Sequence, residues 1–284
     1  MPESLTLDSP PVAPAAPAGP PAINPPWRRF AASVRDCLRG TPGWVRFQLT
    51  RPATIVVLGM HRSGTSCITR MVNLCGASLG ASTIGANEYN KSGHWEAAQG
   101  LEINELILRY SGGSWDNPPE RLLCAGFIRW KMREFLGRLH REGTAVWKDP
   151  RTVVTFPLWR PMLKRCIVLA AYRHPLSVAR SLQRRDGFEL DRGLELWRNY
   201  NARLLSIAER EREVYWLDFD GGPAHIESAL RKLADGAGLR FGPEVMDAYE
   251  PDLRTSDLRD DLADESIWKL YGRLRQNSGL ALRS

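Results

Sequence analysis

The 284-residue sequence lacks any long apolar run. A transmembrane helix needs at least about 18 apolar residues in succession, and the longest apolar stretches of this chain have only the length of β-strands. We therefore expect that the chain does not span a membrane. Its composition, 43% hydrophobic and 25% charged, is that of folded globular proteins and allows one sizeable domain or two small ones.

Cysteine is scarce and scattered. The five cysteines are odd in number and never form a C-x-x-C pair, so the sequence offers neither a disulfide framework nor a zinc site of familiar spacing. They are Cys37, Cys67, Cys75, Cys124 and Cys166. Unpaired thiols are typical of a reducing compartment, so the sequence predicts a cytoplasmic protein.

A concentrated run of basic residues is also missing. The net charge is +7, but the arginines are spread along the chain, so nothing specific supports nucleic-acid binding. An anionic small ligand or acceptor fits this distribution equally well.

The first 50 residues divide into two parts. Residues 1–26 lack a basic segment followed by an apolar one, which argues against a signal peptide, and their proline density predicts a disordered Pro/Ala-rich tail. Residues 27–50 form a short basic and aromatic segment, predicted to be a helix packed on the domain; an alternative is peripheral contact with an anionic membrane. Residues 51–284 are predicted to form the main domain.

Four short apolar runs alternate with segments of helical periodicity. The runs are Thr54–Leu58, Thr144–Trp147, Arg165–Tyr172 and Val214–Leu217. This alternation predicts an α/β fold with a mostly parallel central sheet flanked by helices. Because the first and third runs are unbroken, they are expected to be central strands buried on both faces.

Helical periodicity follows or precedes each of these runs. Ile68, Met71, Val72 and Cys75 mark one face of a helix after the first run, which Gly76 can end. Further stripes predict helices around Ile128–Leu139, Trp197–Ala208 and Ile226–Leu233. The sequence beyond Gly238 is charged and gives no assignment.

A glycine-containing loop joins the first strand to the first of these helices. Gly59 and Gly64 match G-x-x-x-x-G, but Thr65 stands where a Walker lysine would be, and a cation precedes the second glycine as Arg62. Backbone N–H groups and the helix dipole favour an anion here, and a guanidinium can bind it bidentately. The predicted ligands are Arg62, Ser63, Gly64, Thr65 and Ser66. The alternative is a helix-initiating turn without a ligand.

The segment "GMHRSGTS" resembles the loop that binds the 5′-phosphosulfate in sulfotransferases that use 3′-phosphoadenosine 5′-phosphosulfate (PAPS), with the bacterial branch closest. This resemblance implies a P-loop NTPase-like sulfotransferase fold and PAPS as the co-substrate. A second segment, "IVLAAYRHPLSVARSLQRRDGF", is similar to the family's 3′-phosphate segment, which implies that Arg173 and Ser181 hold the 3′-phosphate. The family's C-terminal glycine-rich segment is not recognisable, so adenine binding is left open.

Candidate catalytic groups lie in two further segments. By resemblance, "NKSGHWEAAQG" offers Glu96 as the base, with His94 as the reserve; Glu96 could instead be a carboxylate stabilised at a helix N-terminus. "AVWKDPRTVV" places Lys148 near a sulfuryl oxygen or the acceptor, or alternatively in a surface ion pair. Asp149 could be a magnesium ligand of a kinase or a partner of Arg151.

The sequence therefore predicts sulfuryl transfer from PAPS to a hydroxyl or amine. Arg62 and a second cation could neutralise the developing charge, so no metal ion is expected to be required. The acceptor is not identified; a glycan, a lipid and a small metabolite all fit, and its pocket is expected in Ala77–Trp95 and Tyr110–Leu123, where Trp95 and Trp115 lie. The alternatives are a nucleotide-dependent kinase and a non-catalytic nucleotide- or glycan-binding module.

Overall fold

A computed structural model describes residues 43–50, 52–80, 97–249 and 264–280. Within these ranges four strands form one sheet: β1 (Ala53–Leu58), β2 (Ala145–Lys148), β3 (Arg165–Tyr172) and β4 (Val214–Asp218). All neighbouring strands pair in parallel, in the order β2-β1-β3-β4. The predicted α/β fold with a parallel central sheet is confirmed, and each predicted strand is present with its ends shifted by no more than one residue.

Helices connect and cover the strands. Residues 43–50 are helical and are called α1. The others are α2 (Thr65–Leu74), α3 (Ala98–Tyr110), α4 (Gly126–Leu139), α5 (Thr152–Trp159), α6 (Pro175–Asp186), α7 (Leu190–Ala208), α8 (Pro223–Ala237), α9 (Glu244–Asp247) and α10 (Glu265–Asn277). Among the described helices none combines the length and the apolar character needed to cross a bilayer.

The helices predicted from periodicity are confirmed as α2, α4, α7 and α8. No prediction covered α10, which lies in the charged region beyond Gly238. Its start has a local cause: the Asp264 side chain accepts hydrogen bonds from the backbone N–H groups of Ser266 and Ile267, and so caps the helix. The predicted tail at residues 1–26 lies outside the described residues.

Strand β1 separates two apolar layers. All six of its residues are buried. Val56 and Leu58 belong to the layer that contains side chains of α3, α4, α5, α7 and α10. Ile55 and Val57 belong to the opposite layer, which α2 and α8 cover. The unbroken apolar run is therefore a central strand that is buried on both faces.

The strand order creates a crevice between the carboxyl ends of β1 and β3. The chain leaves β1 toward β2 on one side, and it leaves β3 toward β4 on the other side. In open parallel sheets, ligands bind where two adjacent strands send their connections in opposite directions. The loops after β1 and β3, which carry Arg62 and Arg173, both open at this point.

Candidate functional site

The loop between β1 and α2 turns sharply at two residues. Arg62 has φ 68°, and it is the only non-glycine residue of the described ranges in the left-handed region. Gly64, with φ 76°, directly precedes α2. A Cβ atom at Gly64 would overlap the ring of Phe219, so the close approach of this loop to the chain after β4 also requires glycine.

The first turn of α2 contains no acidic residue, and Gly64 supplies no side-chain cap. The positive end of the helix dipole is therefore not compensated from within the helix. Ser63 is fully buried, and its Oγ has no hydrogen-bond partner among the described residues. A buried hydroxyl without a partner is uncommon in folded proteins, which makes Ser63 Oγ a candidate ligand-binding group.

The two segments predicted to bind anions contact each other. Arg62 Nε donates a hydrogen bond of 2.8 Å to Ser181 Oγ. Ser181 lies on α6, whose first residue is Pro175, as predicted. The structure therefore brings Arg62 and Ser181 together, a contact that the sequence did not predict.

Arg173, at the end of β3, is held by a residue that the sequence analysis did not name. Its Nε donates to Asp220 Oδ1 over 3.1 Å, and the two side chains are only 5% and 2% exposed. The other carboxylate oxygen of Asp220 accepts a hydrogen bond from the backbone N–H of His174. The Arg173 guanidinium also lies 5.5 Å from the centre of the Phe219 ring. Asp220 thus orients Arg173 at the crevice.

A second buried ion pair supports Asp220. Asp218 Oδ1 accepts a hydrogen bond of 2.9 Å from the backbone N–H of Asp220. Asp218 Oδ2 accepts another of 2.9 Å from Arg275 on α10, and these two side chains are 0% and 6% exposed. Helix α10 is therefore connected to Arg173 through the carboxylates of Asp218 and Asp220.

Lys148, the last residue of β2, reaches the first turn of α2. Its Nζ donates a hydrogen bond of 3.0 Å to Ser66 Oγ. The residue is only 2% exposed, so a place in a surface ion pair is excluded. Lys148 and Arg62 thus bring positive charge to the same loop from two different directions.

Asp149 belongs to a buried hydrogen-bond network. Its carboxylate accepts from Asn104 Nδ2 at 2.8 Å and from both the backbone N–H and Nη1 of Arg151 at 3.0 Å. Of the two roles considered for Asp149, the geometry agrees with the partner of Arg151. Asn104 in turn accepts hydrogen bonds from Thr155 and Trp159 through its Oδ1. This network fixes the turn after β2.

His61, which the sequence analysis did not single out, lies beside Arg62 and is partly buried. Its ring centre is 4.6 Å from that of Trp115. The pKa of His61 lies well below its ordinary value because of burial and the positive charges of Arg151, Arg185, Lys148 and Arg62. The sequence feature that could have identified His61 is its position next to Arg62, the predicted anion-binding arginine.

The charged groups that act on Arg62 are mainly arginines. Burial and the neighbouring Arg185 and Arg173 lower the pKa of Arg62, while Asp186 has the opposite effect. Like charges at such short range are stabilised when a multivalent anion binds among them. The arrangement is therefore suited to a ligand with several oxyanions.

Two of the predicted site residues cannot be placed. His94 and Glu96 lie outside the described residues, as does Trp95. In the ranges that are described, no group of three or more His, Cys, Asp and Glu side chains is arranged to hold a metal ion. Comparisons with protein-family models, with curated proteins and with solved structures find no match to this chain.

Proposed function

We propose that the protein transfers a sulfuryl group from PAPS to a hydroxyl or amine acceptor, in a domain with a P-loop NTPase-like sulfotransferase fold. The hydrogen bond between Arg62 and Ser181 carries this proposal. By resemblance, Arg62 binds the 5′-phosphosulfate and Ser181 binds the 3′-phosphate. Both groups are attached to one ribose, so their binding residues must be neighbours, and the 2.8 Å contact meets that requirement.

The position of Lys148 also supports a PAPS donor. Thr65 occupies the place of a Walker lysine, and Lys148 reaches this loop from β2 instead. In a P-loop kinase, the serine or threonine after the loop lysine binds magnesium. Here the hydroxyl of Ser66 accepts a hydrogen bond from an ammonium group, which favours direct neutralisation of a sulfuryl oxygen by Lys148.

In the proposed reaction the acceptor oxygen or nitrogen attacks sulfur in line with the bond to the 5′-phosphate. The S–O bond breaks, 3′-phosphoadenosine 5′-phosphate (PAP) leaves with the electron pair, and the proton of the acceptor passes to a base, for which the resemblance implies Glu96 or His94. Arg62 and Lys148 stabilise the negative charge that develops on the bridging and sulfuryl oxygens. Arg173, oriented by Asp220, binds the 3′-phosphate together with Ser181.

Titration calorimetry with PAP tests the proposal directly. We expect PAP to bind to the metal-free protein in the presence of a chelator, and absence of binding would overturn the proposal. ATP turnover that requires magnesium would instead identify a kinase.

To find the acceptor, the purified protein is incubated with PAPS labelled in its sulfuryl group and a cell-envelope extract, and the labelled product is isolated. The extract contains glycans, lipids and small metabolites, which are the three acceptor classes considered.

A further inference from the structure

The imidazole of His61, in the loop between β1 and α2, packs against aromatic side chains. Its ring packs against Trp115 at 4.6 Å, and the edge of Tyr200 lies 6.4 Å away. The Tyr200 hydroxyl donates a hydrogen bond of 2.7 Å to the Trp115 carbonyl oxygen. Arg185 lies 5.5 Å from the Trp115 ring centre. These contacts fix the orientation of the ring relative to Arg62.

One nitrogen of this ring has no hydrogen-bond partner in the described part of the chain. His61 Nε2 is buried and has no hydrogen bond to any of the described residues. Buried polar atoms in folded proteins nearly always have partners, so an orphaned nitrogen at the edge of a binding site indicates a group that arrives with the ligand. Ser63 Oγ, two residues along the same loop, is orphaned in the same way among the described residues.

Charged groups approach His61 from three elements. Arg62 adjoins it in the loop, Lys148 and Arg151 approach from the end of β2 and the turn after it, and Arg185 approaches from α6. Trp115 and Tyr200 contribute no charge. Burial first, and then these four cations, lower the pKa of His61 and favour the neutral imidazole. A bound oxyanion ligand compensates these charges and makes protonation of the ring easier.

We propose that His61 is a catalytic residue and takes up the proton of the acceptor during sulfuryl transfer, the role that the resemblance gives to Glu96 or His94. The inference rests on the proposed function. A lone pair of the acceptor O–H or N–H group forms the new bond to sulfur, and the bond from sulfur to the 5′-phosphate oxygen breaks. The acceptor's proton moves to Nε2 of the neutral imidazole, and PAP leaves with the electrons of the broken bond. His61 then returns the proton to water.

The first test is nuclear magnetic resonance of protein that contains ring-labelled histidine. The signal that disappears in His61→Gln belongs to His61, and it is titrated with and without saturating PAP. We expect PAP to raise the pKa of His61 by about one unit or more, because the bound anion compensates the four cations. His140, which bonds to Thr54 and Gly143 away from the site, serves as an internal control and is expected to shift less. An unchanged His61 titration with PAP bound overturns the inference.

The second test is the rate of label transfer from PAPS to the envelope extract. His61→Gln keeps an N–H donor of similar reach but removes the basic nitrogen. We expect it to lose roughly 10²–10⁴ of the transfer rate while its affinity for PAP stays within about threefold. Transfer at the normal rate in His61→Gln overturns the role of proton acceptor. If the unaltered protein does not bind PAP, the proposed function itself fails, so the two failures are distinguishable.

Discussion

Lys148 Nζ lies 3.0 Å from Ser66 Oγ, so the end of β2 places an ammonium group at the first turn of α2. Thr65, the neighbour of Ser66, occupies the position at which a Walker lysine would stand. The loop is therefore supplied with this cation by a different strand. In our proposal Lys148 acts on the sulfuryl group, which is present in PAPS and absent from PAP.

Lys148→Met is expected to slow transfer and to leave product affinity almost unchanged. Methionine keeps most of the buried apolar stem, so the side chain still packs. Loss of one positioned donor should cost roughly 10²–10³ in rate, whereas PAP affinity stays within about threefold because the contact is to the sulfuryl group. Labelled PAPS transfer and calorimetry measure the two quantities. Lys164→Met, an exposed lysine before β3, is the matched control.

Arg173→Lys is expected to weaken the binding of PAP more than the binding of 5′-AMP. Lysine keeps the positive charge beside Asp220 but loses the planar fork that binds a phosphate bidentately. We expect PAP affinity to fall about tenfold or more, and the affinity for 5′-AMP, which has no 3′-phosphate, to change less than about threefold. Arg165→Lys, at the exposed start of β3, should change neither. An equal loss for both nucleotides would contradict the assigned role.

Arg275→Met tests the support of Asp220 from α10. The substitution leaves the buried carboxylate of Asp218 without its cation, which typically costs about 3–5 kcal/mol of unfolding free energy. PAP affinity should fall as well, because Asp218 positions Asp220 and Asp220 positions Arg173. Urea denaturation and calorimetry measure the two effects. Arg273→Met, also on α10, breaks an exposed pair with Glu209 at the end of α7 and should cost less than about 1 kcal/mol.

His140 predicts a pH dependence of stability that is separate from the site. Its ring bonds to Thr54 Oγ1 and the Gly143 carbonyl oxygen at 2.9 Å each, and burial lowers its pKa from 6.5 to about 4. Below pH 6.5 the unfolded chain binds the proton more readily than the folded one. Stability is therefore complete above about pH 6.5 and is lost as the pH falls toward 4.

Between pH 7 and pH 5, His140 alone should cost about 2 kcal/mol of unfolding free energy. Urea denaturation at the two pH values measures the total, to which His61 and His225 add in the same direction because burial lowers the pKa of each. His140→Gln removes only its own share, so this variant should show a shallower dependence than the unaltered chain. An identical slope in both proteins would contradict the buried neutral state of His140.

The sequence predicted those parts of the site that directly follow strands. The position of Arg62, Lys148 and Arg173 at one edge of the sheet could be predicted because each follows an apolar run, and such runs become parallel strands with a shared carboxyl edge, whereas their roles are implied by the resemblance. Asp220 was missed because an acid followed by two glycines has the composition of an ordinary turn. Arg275 was missed because local periodicity carries no information about a partner on a distant strand.

The contact of Ser181 shows a second limit of prediction from sequence. Its spacing from Arg173 placed it correctly on the helix after β3. Spacing along one segment does not determine which of two nearby guanidinium groups a hydroxyl contacts, since this depends on the backbone of a different loop. The left-handed conformation of Arg62 is part of that loop and was not apparent from the sequence.

The connection from Arg275 through Asp218 and Asp220 to Arg173 has a consequence for synthesis of the chain. A ribosome that has translated as far as Asp220 has made the loop between β1 and α2, Lys148, Arg173 and both carboxylates. It has not yet made Arg275. Asp218, which supports Asp220, therefore still lacks the ion pair with Arg275. If the proposed function holds, recognition of the 3′-phosphate is therefore a property that the nascent protein acquires late, when α10 packs against the finished sheet.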